Sequence, residues 1–334
     1  MEAFSDLLDS TALEALREQK NLLAFSAGVD SSALFFLLLQ EHIPFDIAIV
    51  DYGMRAASKE EVAYAKALAS YHDKHLYHDS VKLGESNFEH QARAHRYQFF
   101  EKIIQENGYD NLITAHQLND RLEWFLMQLG KGAGLVEMLG FEAIEVRKGY
   151  RLVRPLLGTD KATLLSFLRD HDKRYFIDES NQDEKYQRNY IRRNFSEAFL
   201  RTYKKGIRNS FEYLQKDKAQ LVSHTLLYHD KQLYILKRSD SAIRSIDKIL
   251  KEMGYLLSAA QKEEILKQQE SVIGGKIVVA LKGEMIFIAP FSKKTMDKKF
   301  KVRCRELGIP AKIRPYLSKM EINPSDLPRL APTS

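Results

Sequence analysis

Apolar positions in the first two hundred residues fall in short runs separated by longer stretches with helical spacing. Leu7, Leu8, Ala12 and Leu16 give residues 1–20 one apolar side, which predicts a short amphipathic helix. Asn21–Phe25 is a strand-like run, and Ala33–Leu39 is rich in helix-favouring leucine. Asp46–Asp51 predicts a second strand. Ser58–Tyr71 predicts a helix with Ser58 as its N-cap and Glu61 closing a capping box. The alternation continues with a strand at His75–Asp79, a long helix at Asn87–Asn107 ended by Asn107-Gly108, a strand at Asn111–Ala115 and a helix at Leu118–Leu129. Arg151–Leu157 is the next strand, and Thr159/Asp160 caps a helix running to about His171. Repeated strand–helix alternation of this kind implies an α/β domain with a doubly wound parallel sheet.

The pattern then changes. Phe195 to about His224 has the spacing of a helical connector. Gln232–Lys237 follows as a strand, Ser241–Glu252 and Ser258–Gln269 as helices, and Lys276–Leu281 with Glu284–Ala289 as a hairpin about Lys282-Gly283. The expected organisation is an α/β domain over 1–200, a helical connector over 201–230 and a smaller α+β domain with a basic tail over 231–334. There is no internal repeat, low-complexity tract or long Pro/Gly/Ser linker.

Charge sharpens this division. Residues 1–200 carry 24 Lys+Arg against 31 Asp+Glu, a net of −7, whereas residues 201–334 carry 27 against 14, a net of +13. A basic second half, densest at Lys293–Arg305, suggests a polyanionic partner, with a solvated lysine-rich surface as the alternative. Cys304 is the single cysteine, so neither a disulfide partner nor a cysteine-based metal centre is expected. The N-terminus lacks the build of a signal peptide, and the longest apolar run is far too short to cross a bilayer. A cytoplasmic protein with no membrane partner is expected.

Ligands of doubly wound sheets bind at the carboxyl ends of the strands, so the polar residues there are the candidates for chemistry. After the first strand comes Ser26-Ala27-Gly28-Val29-Asp30-Ser31-Ser32, a small-residue turn leading into a helix. Such a turn points backbone N–H groups at an anion. Gly28 permits positive φ, Ala27 is tolerable if its φ is negative, and Asp30 is a candidate ligand for Mg²⁺ on phosphate oxygens. A plain helix cap by Ser26, Asp30 or Ser31 is the alternative. Arg55 follows the second strand and is a phosphate or carboxylate ligand or a surface ion pair. Glu89, Arg93 and Arg96 share a helix face. His116, Asp120 and Glu123 follow the fourth strand at i, i+4 and i+7, suited to holding Mg²⁺, orienting phosphates or moving a proton. Lys131 lies in a glycine loop, as a phosphate contact or part of a helix C-cap. Arg188, Asn189, Arg192 and Arg193 give a basic helix start suited to RNA phosphates.

These segments resemble, in order, the motifs of the tRNA(Ile)-lysidine synthases, a branch of the N-type ATP pyrophosphatase or PP-loop family. S-A-G-V-D-S-S is similar to S-G-G-x-D-S, D-Y-G-M-R to D-H-G-x-R, and N-F-E-H-Q-A-R-A-H-R-Y to N-x-E-x-x-A-R-x-x-R-Y. A-H-Q-L-N-D-R-L-E-W is similar to A-H-x-x-D-D-x-x-E-T. R-P-L, D-E-S-N and Y-Q-R-N-Y-I-R complete the set. Ala27, Tyr52, Asn119 and Trp124 depart from it. The resemblance implies an ATP-dependent ligase that joins free L-lysine to C2 of the wobble cytidine of isoleucine tRNA with a CAU anticodon, through an adenylated base. It implies ATP held by Ser26–Ser31, Mg²⁺ by Asp30 and Asp120, and Arg93 at the α-phosphate. His116 would orient groups or carry a proton, and Glu123 or Glu89 would bind and deprotonate lysine. Arg55, Arg96, Lys131, Arg188, Asn189 and Arg192 would contact substrate or tRNA. A thiolating relative, a small-molecule amidotransferase of the same fold and a non-catalytic RNA-binding relative are the alternatives.

Overall fold

A computed structural model describes residues 4–53, 57–84, 88–177, 187–221 and 225–328. Two compact units divide the chain, residues 1–215 and 216–334.

In the first unit a short helix, α1 (Ser10–Leu16), precedes β1 (Asn21–Ala24), α2 (Val29–Gln40), β2 (Asp46–Asp51), α3 (Ala57–Tyr71), β3 (Leu76–Ser80) and α4 (Phe88–Asn107). Next come β4 (Asn111–Ile113), α5 (Leu118–Gly130), α6 (Leu135–Leu139), β5 (Ile144–Arg147), β6 (Tyr150–Val153) and α7 (Lys161–Asp170). The unit closes with α8 (Gln187–Ile191), a π-helical turn (Arg192–Ser196) and the long α9 (Glu197–Leu221), which runs past its boundary.

The sheet has the order β3-β2-β1-β4-β6-β5. All pairings are parallel except β5–β6, an antiparallel edge hairpin that turns at Gly149 with φ +86. The strands bury both faces. Leu23, Ile47, Ile113 and Val153 join Leu34, Phe35, Leu38 and Phe167 in one cluster. Their strand neighbours Leu22, Ala48, Leu112 and Leu152 pack with Phe100, Ile103 and Ile104 of α4 in another. This two-residue alternation is the pleat read directly. At the amino ends of the central strands, Asn111 Nδ2 donates to Asn21 Oδ1 (2.7 Å), and Asn21 Nδ2 donates to the carbonyls of Leu16 and Pro44. The buried amides are thereby satisfied at the end of the sheet remote from the ligand side. The strand order reverses at β1, whose neighbours are β2 and β4, so the crevice for ligands opens beyond the carboxyl ends of β1 and β4.

Two helix boundaries differ from the sequence expectation. Helix α3 begins at Ala57, which puts Ser58 inside its first turn rather than at the cap. Gly28, not a serine or aspartate, is the N-cap of α2.

In the second unit, β7 (Leu226–Asp230), β8 (Leu233–Lys237), α10 (Ala242–Glu252), α11 (Ala259–Lys267), β9 (Glu270–Ile273), β10 (Ile277–Lys282) and β11 (Met285–Pro290) precede α12 (Lys298–Glu306) and α13 (Arg314–Met320). An antiparallel sheet of order β7-β8-β11-β10-β9 lies between two pairs of helices. Val278, Ala280 and Phe287 face Cys304, Ile313 and Leu317, while Val279, Leu281 and Ile286 face Ile246, Ile249 and Ile265. Strands β7 and β9 extend the hairpin and strand expected from the sequence. Cys304 is buried and free. Among the described residues, no helix is long and apolar enough to cross a membrane.

Candidate active site

The turn between β1 and α2 is held by its own small side chains. Ser31 Oγ accepts from the backbone N–H of Ser26 (3.2 Å), lies 3.1 Å from Ser26 Oγ and donates to the Gly28 carbonyl. Phe176 N–H donates to the Ala27 carbonyl (2.9 Å), pairing the segment after α7 with the turn as a short parallel bridge at Gly28. The N-cap of α2, Gly28, makes no side-chain cap hydrogen bond, and among the described residues the helix start has the arrangement an anion would complete.

The backbone reverses the expectation for two of these residues. Ala27 has φ +57, the left-handed region, and Gly28 has φ −73. The left-handed step therefore falls on the alanine, where a glycine would be unstrained. At Gly28 a Cβ would meet Ser26 Oγ at 3.5 Å, an ordinary contact. What glycine contributes there is bare backbone for close approach, not conformational freedom.

Asp30 lies in the first turn of α2. Its Oδ1 is buried and has no hydrogen-bond partner among the described residues. Burial first, and the Asp120 carboxylate second, push its carboxyl up to about 6, against Lys161 and Arg192, which pull it down. A buried carboxylate with an orphaned oxygen beside another acid is suited to a cation.

Asp120 is differently placed. Gln117 caps α5, and Asp120 Oδ2 accepts from the Gln117 N–H (2.9 Å) in a reciprocal capping box. Asp120 Oδ1 accepts from Arg188 Nη2 (2.5 Å). Both oxygens are engaged, so of the two expected Mg²⁺ ligands only Asp30 offers a free one. Asn119 is likewise not turned to a metal. Its Oδ1 accepts from the Lys161 N–H (3.1 Å), which ties the start of α7 to α5 and brings the Lys161 cation within reach of Asp30.

Glu123 is fully buried, 0 % exposed, and accepts from Arg188 Nε (2.8 Å), Arg192 Nε (2.7 Å) and Arg192 Nη2 (3.0 Å). Burial works against the charge of both guanidiniums, yet Asp120 and Glu123 hold their pKa values above the ordinary range. The expectation that Arg188 and Arg192 form an open basic face for RNA phosphates is thus corrected, because both turn inward to carboxylates. Asn189 is buried as well. Glu123, saturated by two arginines, is not a free base in this state.

His116 follows β4, with Nδ1 2.9 Å from Thr114 Oγ1 and its ring 5.1 Å from Phe141. Burial, followed by the cations of Arg154, Arg188, Arg93 and Arg96, pushes its pKa down to about 3. It is neutral at physiological pH, which favours orienting groups over carrying a proton as imidazolium. Arg93 and Arg96 extend from α4 towards this centre, and Arg93 stands over the Tyr97 ring at 5.0 Å. Glu89, exposed on the same helix, acts electrostatically on Arg188. Tyr52 donates to the Ala92 carbonyl (3.1 Å) and so fixes α4 against the end of β2. Lys131 is the exposed C-cap of α5. Trp124 donates to the Glu137 carbonyl (2.8 Å) and covers Gly140, where φ is +49 and any Cβ would run into the indole.

Arg55 lies outside the described residues, as do Asp178, Ser180, Asn181 and Tyr186 of the two later motifs. Lys161 and Thr114 were not anticipated as members of the centre. Lys161 had a faint signal, being the first residue after the capping Asp160. Arg154 of the R-P-L segment is 3 % exposed and paired with Glu145 at 2.7 Å, and it contributes to the field on His116.

Comparison with known proteins agrees with this geometry. The pattern of the PP-loop domain family matches residues 3–199. The tRNA(Ile)-lysidine synthase of Helicobacter pylori is 47 % identical over 311 residues, covering 92 % of each chain. Those of Wolinella succinogenes and Campylobacter jejuni are each 45 % identical, over 91 % and 94 % of this chain and 94 % and 97 % of theirs. Among solved structures, a U34-tRNA thiolase from Methanococcus maripaludis superposes with a TM-score of 0.51 at 14 % identity, over 63 % of this chain and 76 % of its own, a likeness of fold. On these matches the chain belongs to the tRNA(Ile)-lysidine synthases, ATP-dependent ligases built on a PP-loop domain.

Proposed function

We propose that this protein ligates free L-lysine to C2 of the wobble cytidine, C34, of an isoleucine tRNA with a CAU anticodon. The cytidine O2 attacks the α-phosphorus of ATP, releasing pyrophosphate and leaving an adenylated base. The ε-amine of lysine then attacks C2, and AMP departs with the former O2. The product decodes AUA rather than AUG and carries isoleucine identity in place of methionine.

The observation that carries this reading is that the charges of Asp120, Glu123 and Arg192, which the Arg188 and Arg192 ion pairs hold together, act on Asp30 of the turn. A phosphate-binding turn and a cluster of two acids and two arginines therefore act on one another directly. The turn, Ser26–Ser31 with the start of α2, suits a triphosphate. The cluster suits an amino-acid zwitterion, because Asp120 and Glu123 match an ammonium while Arg188 and Arg192 match a carboxylate. Lysine would take the place of part of the existing ion pairing, so its two ends would be recognised by groups already charged and already oriented.

Asp30, with its unpartnered oxygen, is the residue that would hold a Mg²⁺ ion, whose charge offsets that of the departing pyrophosphate. Asp120 supports it from the side through the charge it places on Asp30. Arg93 and Arg96 add cations on the α4 side, where negative charge grows on the α-phosphate. Neutral His116, anchored by Thr114, orients rather than protonates. Unit 216–334 is proposed to hold the tRNA backbone, with Lys298, Lys299, Lys301, Arg303 and Arg305 of α12 all exposed. A cytoplasmic setting follows from this substrate.

The test is AMP release with ATP, lysine and the tRNA. Turnover should require both lysine and the CAU anticodon. AMP formed equally without lysine or with a tRNA bearing another anticodon would refute the assignment.

A further inference from the structure

The segment that joins α6 to β5 delivers an aromatic ring to His116, and its backbone is shaped for that purpose. Gly140 caps the C-terminus of α6 with φ +49, and its Cα lies so close under the Trp124 indole that no side chain fits there. The indole is fixed in turn by Nε1, which donates to the Glu137 carbonyl (2.8 Å), although the residue remains 37 % exposed. Trp124 is also a position at which the chain departs from the family motif.

From this pinned glycine the next residue, Phe141, reaches the imidazole. The Phe141 and His116 ring centroids are 5.1 Å apart with planes at 36°. Trp124 meets the same phenyl ring at 5.9 Å and 68°, and the Arg154 guanidinium lies 5.5 Å from its centroid. The backbone that follows is tied at successive residues. The Phe141 carbonyl accepts from Gln215 Nε2 (2.9 Å), the Glu142 carbonyl from Arg154 Nη1 (2.8 Å) and the Ala143 carbonyl from the Arg154 N–H (2.8 Å). Among the described residues, neither Phe141 nor Trp124 belongs to a hydrophobic cluster of the unit. Their packing is spent on each other, on Arg154 and on His116, not on the core.

A histidine ring needs two contacts to select one orientation, because its second side-chain torsion is broad and roughly two-fold. Thr114 Oγ1, 2.9 Å from Nδ1, restrains the imidazole at one edge. That contact alone leaves the ring free to tilt about the hydrogen bond. A second ring against its face removes this freedom, so that edge and face together define the plane.

We infer that Phe141, held by Trp124 over Gly140, is a positioning residue for His116: it sets the plane of the imidazole and so aims the nitrogen not engaged by Thr114 at the reacting groups. The inference rests on the orienting role proposed for His116 and adds what fixes the ring. The same apolar cover keeps water from the imidazole, in accord with its neutral state beside the cations of Arg154, Arg188, Arg93 and Arg96.

The test measures AMP release by the full chain with ATP, lysine and the CAU tRNA. The variants are Phe141→Leu, Trp124→Ala, His116→Ala and the double variant of Phe141→Leu with His116→Ala. Leucine keeps apolar bulk, so the segment still packs, but it offers no flat face to the imidazole. Phe141→Leu and Trp124→Ala should each lower kcat on the order of 10- to 100-fold, with the KM for ATP, lysine and tRNA unchanged. Once His116 is alanine, Phe141→Leu should lower kcat no further, since the phenyl ring acts only through the imidazole. By NMR, the His116 ring protons should lose in Phe141→Leu the ring-current shift that the phenyl ring imposes. Wild-type kcat in either Phe141→Leu or Trp124→Ala would overturn the inference and leave the proposed function intact. So would a loss in Phe141→Leu that adds in full to that of His116→Ala, the mark of a merely structural role. Wild-type kcat in His116→Ala would remove His116 from the reaction and this inference with it, while AMP release that depends on lysine and the tRNA would still uphold the proposed function.

Discussion

Asp30→Asn should stabilise the protein while abolishing its turnover, and the size of the first effect follows from the site. The Asp30 carboxyl is shifted from an ordinary 3.8 up to about 6 by burial and by Asp120. A group protonated more readily in the folded state favours folding when protonated. Stability is therefore fully present below about pH 4, falls as pH rises through 6, and stays lower above it. A shift of about two pKa units is worth about 3 kcal/mol at 1.36 kcal/mol each. Asparagine keeps the shape, carries no charge and titrates nowhere in this range. In chelator-containing buffer without nucleotide, its melting temperature should exceed that of wild type at pH 8 by roughly 6–10 °C, for a unit of this size. The gap should close towards pH 4. Adding ATP and Mg²⁺ should stabilise wild type by mass action and the variant much less. Equal melting temperatures at pH 8, or a gap independent of pH, would show that Asp30 is not held in the strained, unpartnered state on which its proposed metal role depends.

Removing the buried carboxylate at Glu123 has the opposite sign. Glu123→Ala leaves Arg188 and Arg192 without their main partner and should cost about 3–5 kcal/mol in denaturant unfolding. A loss under 1 kcal/mol would mean the cluster is not closed in solution. Ala27→Gly removes a methyl from a left-handed backbone position and should raise stability by on the order of 1 kcal/mol, read from the urea midpoint at constant m-value. With its pKa near 3, His116 should show no change in its NMR ring signals between pH 5 and 8, and a midpoint within that window would contradict its burial among arginines. Affinity for tRNA should fall steeply with salt, and neutralising Lys298 and Lys301 together should reduce the slope of log K against log salt by roughly one to two. An unchanged slope would remove α12 from the tRNA surface.

Most of the α/β architecture was legible because its signals are local. Strands buried on both faces read as apolar runs, helices as spaced ones, and the turns between them carry small or amide residues. Strand β5 was missed because its four residues, IEVR, are only partly buried on the sheet edge and present no clear alternation. Strand β7 escaped for a similar reason, since Leu226 and Leu227 are both exposed and a bulge interrupts its register. Edge strands are specified by the neighbour they pair with more than by their own pattern.

The site was legible as a set of residues and not as a set of roles, and Asp120 and Glu123 show why. Spacing alone places both on one helix face, and both carboxylates accept from Arg188. Spacing says nothing about Arg188 and Arg192, 65 residues or more away, which turn an apparent metal-and-base pair into a closed ion cluster. The same limit applies within the phosphate turn. Gly28 carries the residue type that allows a left-handed backbone, yet the turn takes that conformation one position earlier, at Ala27. The penalty falls on a residue whose methyl group is completely buried. A chain that tolerates this strain must recover it from contacts around the turn, and those available are the Ser26–Ser31 bonds and the pairing of Phe176 with the Ala27 carbonyl. Phe176 thus braces the phosphate turn from the segment that follows α7. Ala27→Gly should for that reason stabilise the protein yet loosen the turn, and a rise in the KM for ATP alongside the higher urea midpoint is the expected signature.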